Sequence, residues 1–186
     1  MAQRQSLRDL QERLARRLSV AKTEATGASW LAVEVAGRRY LLPLVQSGEI
    51  FSWAPVQPVP YTRPWYLGVA ALRGGLHGVV DLAALPGVGT VLPVGGALDR
   101  VTSESRLISL HPALAINAVL WVDKLLGLRD PTMFRALGEC ADGAPVFFGR
   151  VLLDAQGGAW QELNLQILAS DPVFLDITAN ASAPVF

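Results

Sequence analysis

From Trp30 onward the chain alternates with a period of two. Leu31, Val33 and Val35 interleave with Trp30, Ala32 and Glu34, the pattern of a strand. Gly37-Arg38 marks a turn, and Tyr40, Leu42 and Leu44 resume as a second strand. Pro43 inside that run points to an edge position or a bulge. Val45 to Ser52 leads out through Gly48. Between Trp53 and Pro64 stand Pro55, Pro58, Pro60 and Pro64, which forbid helix and central strand and leave an extended connector. Two apolar runs follow, Tyr66 to Leu72 and Leu76 to Leu82, joined by a tight turn at Arg73-Gly74-Gly75.

Beyond a Gly/Pro-rich loop from Leu85 to Gly96, Arg106 to Leu110 and Ala113 to Val122 form another pair of apolar runs. Asp123 to Leu128 leads away, and Asp130-Pro131 opens a short helical turn through Met133 and Leu137. Val146 to Leu153 and Trp160 to Leu168 read as the last two strands, turning at Gln156-Gly157-Gly158. Asp171-Pro172 supplies the cap and first residue of a terminal helix reaching Ala179. Short strands at regular spacing with Gly/Pro turns predict an all-β fold, sandwich or barrel. A barrel leaves few open edges.

Ahead of Trp30 the period is helical. Leu7, Leu10, Leu14 and Leu18 fall near one face of a helix over residues 4–22, and Thr23 to Ser29 reads as a linker. This leader carries six basic side chains against Asp9 and Glu12. It packs its leucine stripe on its own domain, or it contacts a partner or an acidic surface. The chain thus divides into a leader and linker (1–28), a body (29–179) and a tail (180–186).

The 186 residues suffice for one ordinary domain or two small ones, and 51% hydrophobic content is ample for a core. Formal net charge is zero, which argues against electrostatic capture of nucleic acid. Cys140 is the single cysteine, so no internal disulfide forms and a reducing compartment is expected. The longest uncharged stretches, Leu82 to Leu98 and Leu107 to Val122, are broken by proline and read as no membrane span. No signal peptide is visible. The expectation is a soluble cytoplasmic protein that does not insert directly into the membrane.

Catalytic constellations are sparse. Gly87-Val88-Gly89 has no third glycine and no following helix pattern, which excludes a nucleotide loop. No G-x-S-x-G accompanies His77 and His111, the only histidines. His77 and Asp81 share strand parity, so a small β-barrel enzyme or ligand-binding protein holding a metal there is the alternative of another class. Cys140 sits near Glu139 and Asp142, an environment that disfavours a thiolate. Trp53 and Trp65 flank the connector, making one of them a candidate interaction anchor. The most informative residue is Arg73, a charge at the tip of an apolar hairpin.

The segment Gly68 to Leu82, G-V-A-A-L-R-G-G-L-H-G-V-V-D-L, resembles the central motif of CheW-like domains, G-x-x-N-L-R-G-x-x-x-P-V-x-D-L. Gly68, Leu72, Arg73, Gly74, Val80, Asp81 and Leu82 match, while Ala71 replaces the usual asparagine and Gly78 the usual proline. Tyr40 to Leu44, Glu49-Ile50 and Ile116 to Leu126 also look like family segments. The resemblance spans about residues 29 to 178. Pro64-Trp65, Trp160-Gln161-Glu162-Leu163, Asp171-Pro172 and the basic leader look closest to the PilI type, from the chemosensory system linked to type IV pilus twitching motility. A flagellar CheW adaptor is the runner-up. The resemblance implies two five-stranded SH3-like barrels, with the leader helix and a short C-terminal helix outside them. It implies no catalysis and no cofactor. It implies a bridge between a chemoreceptor cytoplasmic tip, docked in a groove between barrels, and the regulatory domain of a CheA-type histidine kinase. Carried over, Arg73 matches the arginine linked to receptor contact, with Gly74 beside it on the turn. Ser47 falls where the family has an apolar receptor contact. Glu49 is placed to orient Arg73 by a charge-assisted hydrogen bond.

Overall fold

A computed structural model describes residues 29–89, 98–138, 140 and 142–179. The expected leader helix and the tail lie outside them. Eleven strands form two sheets among the described residues. One sheet has five strands in the order β3-β6-β7-β5-β4: β3 (Ser47–Ser52), β4 (Tyr66–Leu72), β5 (Gly75–Asp81), β6 (Arg106–Leu110) and β7 (Ala118–Val122). The other has six, in the order β8-β1-β2-β11-β10-β9. It contains β1 (Trp30–Val35), β2 (Arg38–Pro43), β8 (Lys124–Arg129), β9 (Phe134–Gly138), β10 (Phe148–Asp154) and β11 (Ala159–Leu163). The five-stranded unit is thus inserted between β2 and β8 of the six-stranded one.

Period-two alternation explains how the units pack. Both faces of the central strands are apolar, as buried sheets require. Ala70, Leu72, Val79, Leu107, Val119 and Trp121 fill one side of the five-stranded sheet. Trp30, Ala32, Leu41, Leu152 and Trp160 fill one side of the six-stranded sheet. The intervening residues, among them Leu31, Val33, Tyr40, Leu42, Val80, Ile108, Leu120 and Val122, meet in a third cluster shared by both sheets. Each such fully buried side chain contributes roughly 1.5–3 kcal/mol of transfer free energy.

Two hairpin turns use backbone that twists with the strands. Ala36 and Gly37 have φ of 50° and 73°, and Val35 pairs with Arg38. Arg73 and Gly74 have φ of 44° and 82°, and Leu72 pairs with Gly75. Both are two-residue loops with positive φ at each central position, the geometry that suits a right-twisted hairpin.

The fold class is the expected all-β one, but one of the two expected five-stranded units has a sixth strand, and several elements differ locally. Val45 to Ser52 and Asp123 to Leu128, expected as lead-outs, hold β3 and most of β8 (Lys124–Arg129). The Asp130 carboxylate does cap Thr132 N, but the helical turn stops at Met133. Phe134 is extended instead, and its ring meets Trp30 and Trp160 edge-on at 5.8 and 6.2 Å. The run Trp160 to Leu168 divides at Asn164, whose side chain caps helix α1 (Leu165–Ser170) by accepting from Gln166 N and Ile167 N. Asp171 caps α2 as expected, but α2 (Pro172–Leu175) ends early. Thr178 beyond it bridges to Thr62 in the connector. Pro43 closes β2, past the register where β11 pairs with Tyr40 and Leu41.

Candidate functional site

Arg73 occupies left-handed backbone that favours glycine, at a cost of roughly 1–2 kcal/mol. The two-residue hairpin imposes this conformation, as it does at Ala36 in the β1–β2 turn. Nη1 of Arg73 lies 2.8 Å from Glu49 Oε2 on β3, although both side chains are largely exposed. The guanidinium carbon also stands 5.7 Å from the centre of the Phe51 ring. A carboxylate and an aromatic face therefore hold the arginine over one end of the five-stranded sheet. An exposed pair contributes about 0–1 kcal/mol to stability, so its chief effect is orientation.

Below Arg73 opens a groove of about 490 Å³. Its walls are mainly apolar, with Leu72, Leu110, Pro112, Ile116 and Ala118, and its rim carries Glu49, Arg73, His77, Ser109 and Asn117. The lining comes entirely from the five-stranded sheet and the β6–β7 connection, so this groove lies on one unit and is not the groove between barrels that the resemblance implied. Ser109 and Asn117 are already engaged. Ser109 Oγ accepts from Glu49 N at 2.7 Å, and the Asn117 amide donates to the Leu76 carbonyl. Ile50 and Leu76 lie nearby on β3 and β5 with much of their surface exposed.

Of the expected site residues, Arg73 and Glu49 come together at this rim, while Gly74 follows Arg73 on the turn and does not line the groove. Ser47 does not. It is buried, pairs with Leu110, and donates its hydroxyl to the Pro43 carbonyl at 3.0 Å. Neither connector tryptophan is an exposed anchor: Trp65 is buried against Phe174, and Trp53 packs on Trp121 at 4.9 Å. The exposed aromatic of the connector is Tyr61, 86% exposed and at φ 60°. Its place between Pro60 and Thr62 gave no periodic signal.

The motif's remaining residues have structural work. Gly68 has φ 135°, and a Cβ there would meet the Gln57 carbonyl oxygen at 2.1 Å, where the connector bridges to β4. Gly78 takes the place of proline with the Tyr66 ring over it, 2.9 Å from where a Cβ would lie. Asp81 is fully buried and accepts from Arg100 Nη2 at 2.6 Å and from Ala83 N at 3.0 Å. Arg100 Nε donates to Asp123 at 2.6 Å, and the other oxygen of Asp123 accepts from Ala36 N in the β1–β2 turn. The guanidinium carbon of Arg100 stands 4.1 Å from the Trp121 ring centre. Burial pushes the Arg100 pKa down, but hydrogen bonds and charge from Asp81 and Asp123 outweigh it and raise it overall. Arg100 thus ties the two sheets together where the chain crosses between them.

This arrangement removes the metal alternative. Four residues of strand separate the backbones of His77 and Asp81 by about 13 Å. Asp81 faces Arg100, while His77 lines the groove. Among the described residues no three His, Cys, Asp or Glu side chains gather as a metal site. No helix among them is long and apolar enough to cross a membrane.

Comparison with known proteins agrees with the fold and with the motif. Over 85 residues the chain is 28% identical to the chemotaxis protein CheW of Rhizobium meliloti (strain 1021). That match covers 45% of this chain and 55% of the relative, so it spans about half the relative's length. The fold resembles the crystal structure of the scaffolding protein TtCheW from Thermoanaerobacter tengcongensis, with a TM-score of 0.57 and 18% identity. That likeness covers 74% of this chain and 88% of the other, and the two sheets fit the expected pair of SH3-like barrels. The CheW-like domain model matches residues 29–170, most of the chain and nearly all of its described body. The chain belongs to the CheW-like domain family.

Proposed function

We infer that this protein is a non-enzymatic adaptor of a chemosensory array, coupling chemoreceptors to a CheA-type histidine kinase. The groove beneath Arg73 receives the cytoplasmic tip of the receptor, and another face engages the regulatory domain of the kinase. The observation that carries this reading is the strained, exposed Arg73, aimed by Glu49 and Phe51 over an apolar groove. An arginine so held offers several fixed donors to a helical partner while its stem covers apolar surface. Family membership supports the adaptor role.

The pathway we favour is that of type IV pilus twitching motility. The residues resembling the PilI type carry structural roles: Trp65 stacks with Phe174 of α2, Glu162 receives the Trp30 indole, and Asp171 caps α2. A flagellar chemotaxis adaptor is the second reading, and the relative named chemotaxis protein CheW is compatible with both. In either pathway the protein works in the cytoplasm and is recruited to membrane-associated arrays. The test is capture of the kinase regulatory domain encoded in the same genome by the intact protein. Retention comparable to a control CheW supports the adaptor. No retention, with the control binding, overturns it. Loss of twitching on deletion, with swimming intact, selects the pilus pathway.

A further inference from the structure

His77 is the one rim residue that neither the ion pair nor a backbone contact explains. It lies on β5 opposite Ala70, and its imidazole lines the groove. The ring stands 6.2 Å from Phe51, tilted by 45°. Arg73 uses the same Phe51 ring, so one aromatic plate supports both nitrogen-bearing side chains. Room for the imidazole comes from Gly75: a Cβ there would fall 3.1 Å from His77 Nε2. A side chain at Gly75 would crowd the outer edge of the ring.

The two ring nitrogens differ. Nδ1 is buried with no hydrogen-bond partner, whereas Nε2 stands over the open side of Gly75. A neutral imidazole carries one N–H. Burying that N–H without an acceptor costs more than burying a bare lone pair, so the proton belongs on Nε2. The groove therefore presents an Nε2–H donor beside a charged guanidinium.

We propose that His77 is a specificity-determining residue of this groove, donating from Nε2 to a side-chain oxygen on the helical receptor segment that Arg73 also contacts. The proposal rests on the receptor-docking reading above and deepens it. A partner lacking that oxygen would leave the Nε2–H desolvated and unpaired, which is how a single polar group discriminates between otherwise similar helices.

Substitutions at His77 separate a hydrogen bond from mere packing. Glutamine places an amide nitrogen near Nε2, asparagine places one only near Nδ1, and leucine keeps bulk without a donor. Binding is measured by titration calorimetry of the full chain with a purified receptor cytoplasmic-tip fragment from the same genome, alongside melting curves. The expected result is near-wild-type affinity for His77→Gln. His77→Asn and His77→Leu should lose about fivefold, the size of one hydrogen bond, with unchanged melting. Wild-type affinity for His77→Leu or His77→Asn, with Arg73→Glu impaired, overturns the role of His77 and spares the docking reading. Equal losses for glutamine and leucine overturn the hydrogen bond. If His77→Leu fails to fold, the glutamine–asparagine comparison decides alone. No binding by the wild-type protein removes both the proposal and the reading beneath it.

Discussion

Glu49 on β3 and Arg73 on the β4–β5 turn belong to opposite edges of the five-stranded sheet, yet their charged atoms lie 2.8 Å apart. They meet because the sheet curls, and their meeting spans the mouth of the groove. A pair this exposed adds little to stability, so it is accessible to a partner that offers charges of its own. Charge reversal should therefore separate binding from folding. Arg73→Glu should abolish receptor-tip binding and leave the melting temperature within a few degrees of wild type. Calorimetry and circular dichroism check both halves. Glu49→Gln should weaken binding less, because it frees Arg73 without removing it.

Arg73 also carries backbone strain, which Arg73→Gly tests. Glycine relieves the left-handed conformation but gains entropy in the unfolded chain. The two effects oppose each other, so stability should stay within about 1 kcal/mol of wild type. Receptor binding should nonetheless be lost. Denaturant unfolding gives the first quantity and calorimetry the second.

Gly68 is the opposite case, a motif residue whose loss should destroy structure. Gly68→Ala puts a methyl into the Gln57 backbone and forces alanine into φ 135°. Insoluble or unfolded protein is the expected outcome on expression, with no separable binding defect.

Arg100 offers a test of how the two units are held together. Its removal leaves the fully buried Asp81 carboxylate without its cation. Breaking a buried pair from one side typically costs about 3–5 kcal/mol. Arg100→Met should lower stability by roughly that amount in urea unfolding. Adding Asp81→Asn should recover part of the loss, since the uncompensated charge is then gone.

Acid should act through Glu162. Burial pushes its pKa up, but hydrogen bonds from the Trp30 indole at 2.7 Å and from Arg150 outweigh this and hold it below the ordinary glutamate value. A depressed folded pKa means stability that is fully present above the unfolded value and lost as pH falls through the folded one. The stability difference between wild type and Glu162→Gln should therefore be constant above roughly pH 5 and shrink below roughly pH 4. Urea unfolding across that range reads it directly.

Much of the architecture was legible in the chain because both sheets bury apolar residues at period two. The β1–β2 and β4–β5 hairpins follow from that alternation and from their glycines. β8 was not legible, because the register shifts between Ala32 and Val33, opposite Gly127 and Leu125, and interrupts its alternation. β9 was misread for a different reason. The capping signal at Asp130 is genuine, but packing of Phe134 between two tryptophans wins over local helix preference. At the site, Arg73 stood out as a charge on an apolar hairpin, and Glu49 was found beside it as expected. Ser47 was misleading, since position along a strand does not reveal which face a bulge turns inward. The pairing of Asp81 with Arg100 spans a long loop, and no local pattern announces it.

The central claim is coupling, and the most direct measurement is kinase activity in reconstituted arrays. Receptor-containing membranes, the CheA-type kinase and this protein are mixed, and autophosphorylation is followed with and without it. Activity should rise severalfold in the presence of the wild-type protein, and Arg73→Glu should fail to raise it. Equal kinase activity in the presence and absence of the wild-type protein, with a control CheW activating the same mixture, would contradict the account.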